Sequence, residues 1–132
     1  MQNAYPTTWT IGHSVVPFAT FLSRLKAYRI RTLVDVRTFP RSARAPHFNA
    51  LPLGSALADE NIQYILRGKN LGGRGANINF EGATRELAEM AKQGIRVCIL
   101  CAEADFRRCH RHKIIEPALL RHGVTVRHIS YG

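Results

Sequence analysis

Acid is scarce in this sequence. Nine Asp+Glu stand against nineteen Lys+Arg, a formal net charge of +10, and fifteen of the basic residues are Arg. Cysteine is scarce too. Three is an odd, small number, which argues against a disulfide framework and for a reducing cytosol. Long apolar runs are missing; none approaches the roughly 18 residues that a membrane span needs. The opening Met1-Gln2-Asn3-Ala4-Tyr5-Pro6 has neither a basic nor an apolar region of the kind a secretory signal carries. Internal repeats, low-complexity tracts and linkers are also absent. These gaps exclude a membrane protein, a secreted mini-protein and a repeat array. What is left is one cytoplasmic domain over residues 1–132, with a charge that suits an anionic partner.

The apolar pattern alternates between short strand-like runs and longer helical ones. Strands are expected at Trp9–Ile11, Leu33–Val36, Ile62–Leu66, Arg96–Cys101 and Val124–Ile129. Phe18, Phe21, Leu22 and Leu25 fall on one helical face, with Pro17 suited to that helix's first turn. Residues Asn49 to Asp59 are weakly helical, and Glu81 to Gln93 carries Leu87, Met90 and Ala91 at helical spacing before Gly94. The stretch Gly68 to Asn79 is expected to be a loop. Cys109 to His122 is expected to be a helix that Pro117 kinks or splits. The alternation implies a three-layer α/β domain, with a mainly parallel sheet of about five strands flanked by helices. Strand order stays open.

In such a sheet, ligands bind beyond the carboxyl ends of the strands. The residues following the strands are His13 and Ser14; Asp35 and Arg37; Tyr64, Arg67, Lys69 and the glycine-rich stretch; Cys101, Glu103, Asp105 and Cys109-His110-Arg111; and His128 and Ser130. Positive charge has the same bias. No acid lies between Val36 and Ala58 or between Asn61 and Phe80, while Arg37, Arg41, Arg44, Arg67, Lys69 and Arg74 do. Arg107, Arg108, Arg111 and Lys113 open the last expected helix, where an anion between them would resolve their conflict with the helix dipole. Phe39, His47, Phe48 and Phe106 interleave with this charge. Such rings either stack on bases, at about 1–3 kcal/mol each, or anchor their loops to the core.

Three chemistries compete. Asp35 and Glu103 end two strands beside several Arg; each is either a salt-bridge partner, as Asp35–Arg37 or Glu103–Arg111, or a general base. In the second case His13 or His110 assists, and hydrolysis of an N-glycosidic bond fits, since its transition state is oxocarbenium-like. Cys101 and Arg107 have the C-x5-R spacing of phosphate-cradling thiol loops. Glu103 and Asp105 within the loop oppose an anion, and no glycine lets the backbone wrap one, so Cys101 as nucleophile is the lesser reading. Cys101, Cys109 and His110, with His112 or His13, lack a standard zinc spacing, and on a helix Cys109 and His110 would point apart. No metal and no cofactor is therefore expected. Cys98 lies mid-strand and is read as core packing.

Thr10-Ile11-Gly12-His13-Ser14, Leu33-Val34-Asp35-Val36-Arg37 with Pro40 and Ser42, Tyr64 with Leu71-Gly72-Gly73, and Cys101-Ala102-Glu103 with Cys109-His110-Arg111 together resemble the bacterial and archaeal family labelled domain of unknown function 488. The resemblance runs in order over nearly the whole chain. It implies an α/β fold, a cytoplasmic protein and a shared site at His13, Ser14, Asp35, Arg37, Tyr64, Gly72, Gly73, Cys101, Glu103, Cys109, His110 and Arg111. It implies no settled activity. Phe106 departs from the family pattern, which more often has Pro there.

The leading expectation is a nucleic-acid-acting hydrolase, with DNA favoured and a metal-independent base-removing N-glycosylase as its sharpest form. Asp35, Glu103, His110 and His13 would be catalytic. Ser14, Arg37, Tyr64, Gly72, Gly73, Arg111, Cys101 and Cys109 would bind substrate or phosphate, with Tyr64 packing on a base. The alternatives are a thiol-dependent sulfurtransferase- or phosphatase-like enzyme using Cys101, and a non-catalytic nucleic-acid-binding module.

Overall fold

Five short runs rich in β-branched and apolar residues form the sheet of the computed structural model: β1 (Thr7–Gly12), β2 (Thr32–Asp35), β3 (Gln63–Leu66), β4 (Val97–Cys101) and β5 (Thr125–His128). The structure describes residues 5–132, without the side chain of His112. The absence of a signal at Met1–Ala4 and the suggestion of His112 as a metal ligand therefore lie outside the described residues. All strand pairings are parallel, in the order β3-β2-β4-β1-β5.

That order explains the two layers of helix. The chain first moves one way, from β1 through α1 (Phe18–Ala27) to β2 and through α2 (Ala50–Asp59) to β3. It then returns through α4 (Phe80–Lys92) to β4 and α5 (Glu116–Arg121) to β5. Right-handed crossovers running in opposite directions put their helices on opposite faces. Two cores follow. Phe21 and Leu25 of α1 and Leu53 and Leu57 of α2 pack on Ile11, Leu33, Cys98 and Leu100. Leu87 and Ala91 of α4 and Leu119 of α5 pack on Val34, Val97, Ile99 and Cys101. The period-two alternation of β2 and β4 assigns each side chain to its face. Burial of each such Leu, Ile or Phe stabilises by roughly 1.5–3 kcal/mol.

The chain reverses direction after β3, and the returning strand β4 inserts between β2 and β1. The loops leaving β1 and β2 turn towards one face and the loop leaving β4 turns towards the other. A crevice opens between them, where open α/β sheets bind ligands.

Two stretches differ from the sequence reading. The expected loop 68–79 begins with one helical turn, α3 (Gly68–Leu71). Gly68 is required there, because a Cβ would stand 2.0 Å from the Arg37 carbonyl oxygen. The expected helix 109–122 does not start at Cys109, whose backbone is extended (φ −119°, ψ 148°). It opens instead as a π-helical segment, Arg111–Ile115, and becomes α5 only at Glu116. Pro117 falls in the first turn of α5, where its missing N–H costs little. No helix among the described residues is long and apolar enough to cross a membrane.

Candidate functional site

The strand-end residues separate into a buried scaffold and an open cleft. Asp35 is fully buried at the end of β2 and has every direction occupied. Arg37 donates to it from its backbone N (3.0 Å), from Nε (2.9 and 3.1 Å) and from Nη2 (2.6 Å). The Tyr64 hydroxyl donates to the same carboxylate. Arg37 then ties in the next two elements: Nη2 donates to the Phe48 carbonyl (2.8 Å), and Nη1 faces Nε2 of His13 at 3.2 Å. Burial disfavours the Arg37 cation, but the Asp35 carboxylate more than offsets this and raises its pKa. Burial, reinforced by the bond to Asp35, raises that of the Tyr64 phenol.

His13 completes the scaffold. Its Nδ1 lies 2.6 Å from the Ser14 carbonyl, which fixes Nδ1 as the protonated nitrogen and leaves Nε2 to accept from Arg37. Its ring stacks on Phe48 (centroids 4.6 Å apart). Burial holds the imidazole neutral, with its pKa lowered to about 4, and the nearby Arg37 acts in the same direction. The network clamps the loop after β2 to β1 and β3. Phe48 is therefore a core anchor, and Tyr64 uses its hydroxyl on Asp35 rather than offering it to a ligand.

Loops anchored in this way wall a cleft of about 560 Å³. One side holds Arg37, Thr38, Phe39 and Arg41 from the loop after β2; Gly73 and Arg74 come next; the loop after β4 gives Cys101, Ala102, Glu103, Arg108, Cys109 and His110. Phe39 is 61% exposed. Gly72 is buried against Thr38, and the Thr38 hydroxyl accepts from the Arg74 backbone N at 3.3 Å. At Gly73 a Cβ would stand 2.8 Å from His110 Nδ1. The loop after β4 is fastened to β1: His13 N donates to the Cys101 carbonyl (3.0 Å) and Ser14 N to the Ala102 carbonyl (2.8 Å).

The cleft floor is a thiol pair. Cys101 Sγ and Cys109 Sγ are 2.6 Å apart and share a hydrogen bond. Cys109 is reached because its extended backbone turns it back towards β4. For the same reason Cys109 and His110 do not diverge as helical neighbours would; His110 Nδ1 lies 3.6 Å from Cys109 Sγ. Arg111, fully buried beneath them, donates from Nη1 to Cys101 Sγ (3.1 Å) and from Nη2 to the Ala104 carbonyl (3.0 Å). Its Nε has no partner among the described residues, and no described carboxylate reaches the guanidinium. A Glu103–Arg111 pair, one of the expected salt bridges, is not formed.

The hydrogen bond with Cys101 holds the Cys109 thiol far below the usual thiol range, to about 4, against its burial and with help from His110. The same bond, with burial, pushes Cys101 up while Arg111 opposes the rise. The opposite shifts of the two thiols come from one shared contact and belong to the pair rather than to either residue alone. Cys98 lies in the opposite core and its thiol is raised by burial.

The C-x5-R loop does not cradle an anion. The Asp105 backbone N donates to Glu103 Oε1 (3.1 Å), and the Arg107 backbone N to Asp105 Oδ1 (3.1 Å). Arg107 turns its guanidinium onto Asp105 at 3.0 Å and away from Cys101. No group of three or more His, Cys, Asp or Glu among the described residues could hold a metal ion.

Of the expected site residues, the cleft gathers Cys101, Glu103, Cys109, His110, Gly73 and one edge of Arg37, with Arg111 below. Asp35, His13 and Tyr64 belong to the scaffold, and Ser14 acts through its backbone N. Thr38 was not legible as a site residue; Arg41 and Arg74 were visible only as members of acid-free stretches, and Arg108 only as one of the basic residues opening the last expected helix. A family model described as a domain of unknown function, DUF488, matches residues 17–79 and 75–117. These stretches take in every cleft residue, while His13 and Ser14 precede them. No curated protein and no solved structure matches the chain.

Proposed function

This chain belongs to the DUF488 family, and we propose that it is a thiol-dependent enzyme whose Cys109 thiolate attacks a sulfur atom of a small anionic substrate. The observation that carries the proposal is the Cys101–Cys109 pair, 2.6 Å apart at a cleft floor over a buried guanidinium with no carboxylate partner among the described residues. A buried cation without an anion is costly. A thiolate shared by the pair supplies that anion, and a stabilised thiolate is the reactive form of cysteine.

The charge of the cleft supports an anionic substrate. Arg41, Arg74 and Arg108 line it against the single carboxylate of Glu103. Sulfur is favoured over phosphorus because the loop's own carboxylates occupy the backbone N–H groups of Asp105 and Arg107 that a transferring phosphoryl group would need. A reducing cytoplasm suits an enzyme with three free thiols.

The test uses an anionic aromatic disulfide, 5,5′-dithiobis(2-nitrobenzoate), against the neutral 4,4′-dithiodipyridine. The protein should react faster with the anionic reagent than a free thiol does, relative to the neutral one, and salt should erase the difference. Cys109→Ser should abolish the fast phase and Cys98→Ser should keep it. A Cys109→Ser protein that reacts at the wild-type rate would overturn the proposal.

A second reading, the DNA base-removing hydrolase, draws on Glu103. Glu103 is exposed in the same basic cleft, whose lining also holds the exposed Phe39, a ring of the kind that stacks on a base. Base release from damaged oligonucleotides that Glu103→Gln abolishes and Cys109→Ser leaves intact would favour it.

A further inference from the structure

We infer that Cys101 and Cys109 form a redox pair that exchanges with an anionic disulfide through an intramolecular Cys101–Cys109 disulfide, and that the buried Arg111 guanidinium favours the dithiol, so that the dithiol is a weak reductant and the disulfide a strong oxidant. The inference rests on Cys109 as the nucleophile. It adds a resolving thiol, a substrate class and the charge that sets the pair's equilibrium.

The geometry leaves one pairing open. Cys98 packs on the other face of the sheet, in the core with Trp9 and Leu100, whereas Cys101 and Cys109 share the opposite core. Their sulfurs at 2.6 Å are already close to the about 2.05 Å of a disulfide. Both ends of the connecting loop are held: Cys101 and Ala102 by hydrogen bonds to the backbone of His13 and Ser14, and Cys109 by its N–H to the Phe106 carbonyl (3.1 Å). Gly12 lets the loop lie flat on β1, since a Cβ there would stand 1.9 Å from the Glu103 carbonyl oxygen.

The steps balance. The Cys109 thiolate attacks one sulfur of R–S–S–R′, forming the Cys109–S–S–R bond and expelling R′S⁻. Cys101 gives up its proton and attacks Cys109 Sγ. The Cys101–Cys109 bond forms, the bond to R breaks, and RS⁻ leaves with that proton as RSH. Substrate sulfur is reduced by two electrons and the protein pair is oxidised by two. Turnover requires two equivalents of an external thiol, which reverse the exchange.

Arg111 distinguishes the two states. In the dithiol state Nη1 faces a sulfur that shares a negative charge; in the disulfide state that charge is gone and the guanidinium stays buried with Nε unpaired. The reduced pair is therefore selectively stabilised, so the forward exchange runs only against a large excess of disulfide over thiol, and the protein disulfide readily oxidises thiols in the reverse direction.

Glutathione and its disulfide, both anionic, serve as the probe. The protein is equilibrated with defined ratios, acid-quenched and alkylated after denaturation, and its mass is measured. The reduced chain carries three alkyl groups, and the oxidised chain one, on Cys98. We expect conversion from three to one only at ratios with glutathione disulfide in large excess, with little glutathione attached, and accumulation of a Cys109–glutathione adduct in Cys101→Ser. Arg111→Met should move the equilibrium on the order of tenfold or more towards the disulfide. A wild-type protein that stops at the Cys109 adduct would overturn the redox pair and leave Cys109 as nucleophile. Absence of any reaction would overturn both. If Arg111→Met does not fold, Arg111→Lys, which keeps a charge, should titrate near wild type, and a large shift there would contradict the charge argument.

Discussion

Arg111 donates to Cys101 Sγ at 3.1 Å from a fully buried position with no described carboxylate beside it. A guanidinium in such a place needs an anion, and the thiol pair is the group placed to supply one. The arrangement couples the charge of α5's approach segment to the chemistry of β4's last residue. Its consequences can be measured at each member.

Removing Cys101 should change Cys109 without removing it. The hydrogen bond from Cys101 is the largest cause of the low Cys109 pKa. In Cys101→Ala the midpoint for Cys109 alkylation should therefore rise towards the ordinary thiol value of about 8.5. An unchanged midpoint would mean that another group holds the thiolate.

Gly73 should matter for reactivity more than for stability. A Cβ there meets His110 Nδ1 at 2.8 Å and Cγ at 3.0 Å, so Gly73→Ala must displace the ring that lies against Cys109. Alkylation of Cys109 should need a higher pH in the variant, while the urea midpoint moves little, because Gly73 is exposed. A lower urea midpoint with unaltered alkylation would reverse that assignment.

The Asp35 network should behave as scaffold. Tyr64→Phe removes one donor from a buried carboxylate and should cost about 1.5–3 kcal/mol of stability. Asp35→Asn strands the Arg37 cation and should cost about 3–5 kcal/mol. Urea unfolding gives both values. The folded variants should keep the wild-type rate with the anionic disulfide; loss of that rate in a well-folded Tyr64→Phe would place the network in the chemistry.

His13 makes stability depend on pH. Its pKa is lowered from 6.5 to about 4 in the folded chain, first by burial, so between those values the unfolded chain binds more protons. Stability should be fully present above pH 6.5 and fall as pH drops towards 4, by up to about 3 kcal/mol from this group. His13→Gln should flatten that part of the urea-midpoint profile. A profile as steep as the wild type's would remove His13 as its source.

The layers, the parallel sheet and the strand-end position of the chemistry were legible because period-two and period-3.6 apolar patterns are local. The order β3-β2-β4-β1-β5 was not, since it depends on which edges meet, and no periodicity encodes that. Cys109 shows the same limit at one residue. A sequence window places it on a helix, where it would point away from His110. The chain instead starts π-helical at Arg111 and leaves Cys109 extended against Cys101. Arg is a residue seldom fully buried, yet Arg111 is, with a sulfur partner ten residues earlier that no local pattern announces. Asp35 with Arg37 is the opposite case: two residues apart at a strand end, they form the pair that their spacing suggests.

The most direct test of the account is the rate of Cys109 alkylation by iodoacetamide between pH 4 and 9, followed residue by residue by peptide mass. The account predicts a Cys109 rate that is already near its plateau at pH 6, with Cys98 unreactive throughout in the native protein. A Cys109 rate that rises tenfold per pH unit up to about 8.5, as an ordinary thiol's does, would contradict the shared thiolate and the function built on it.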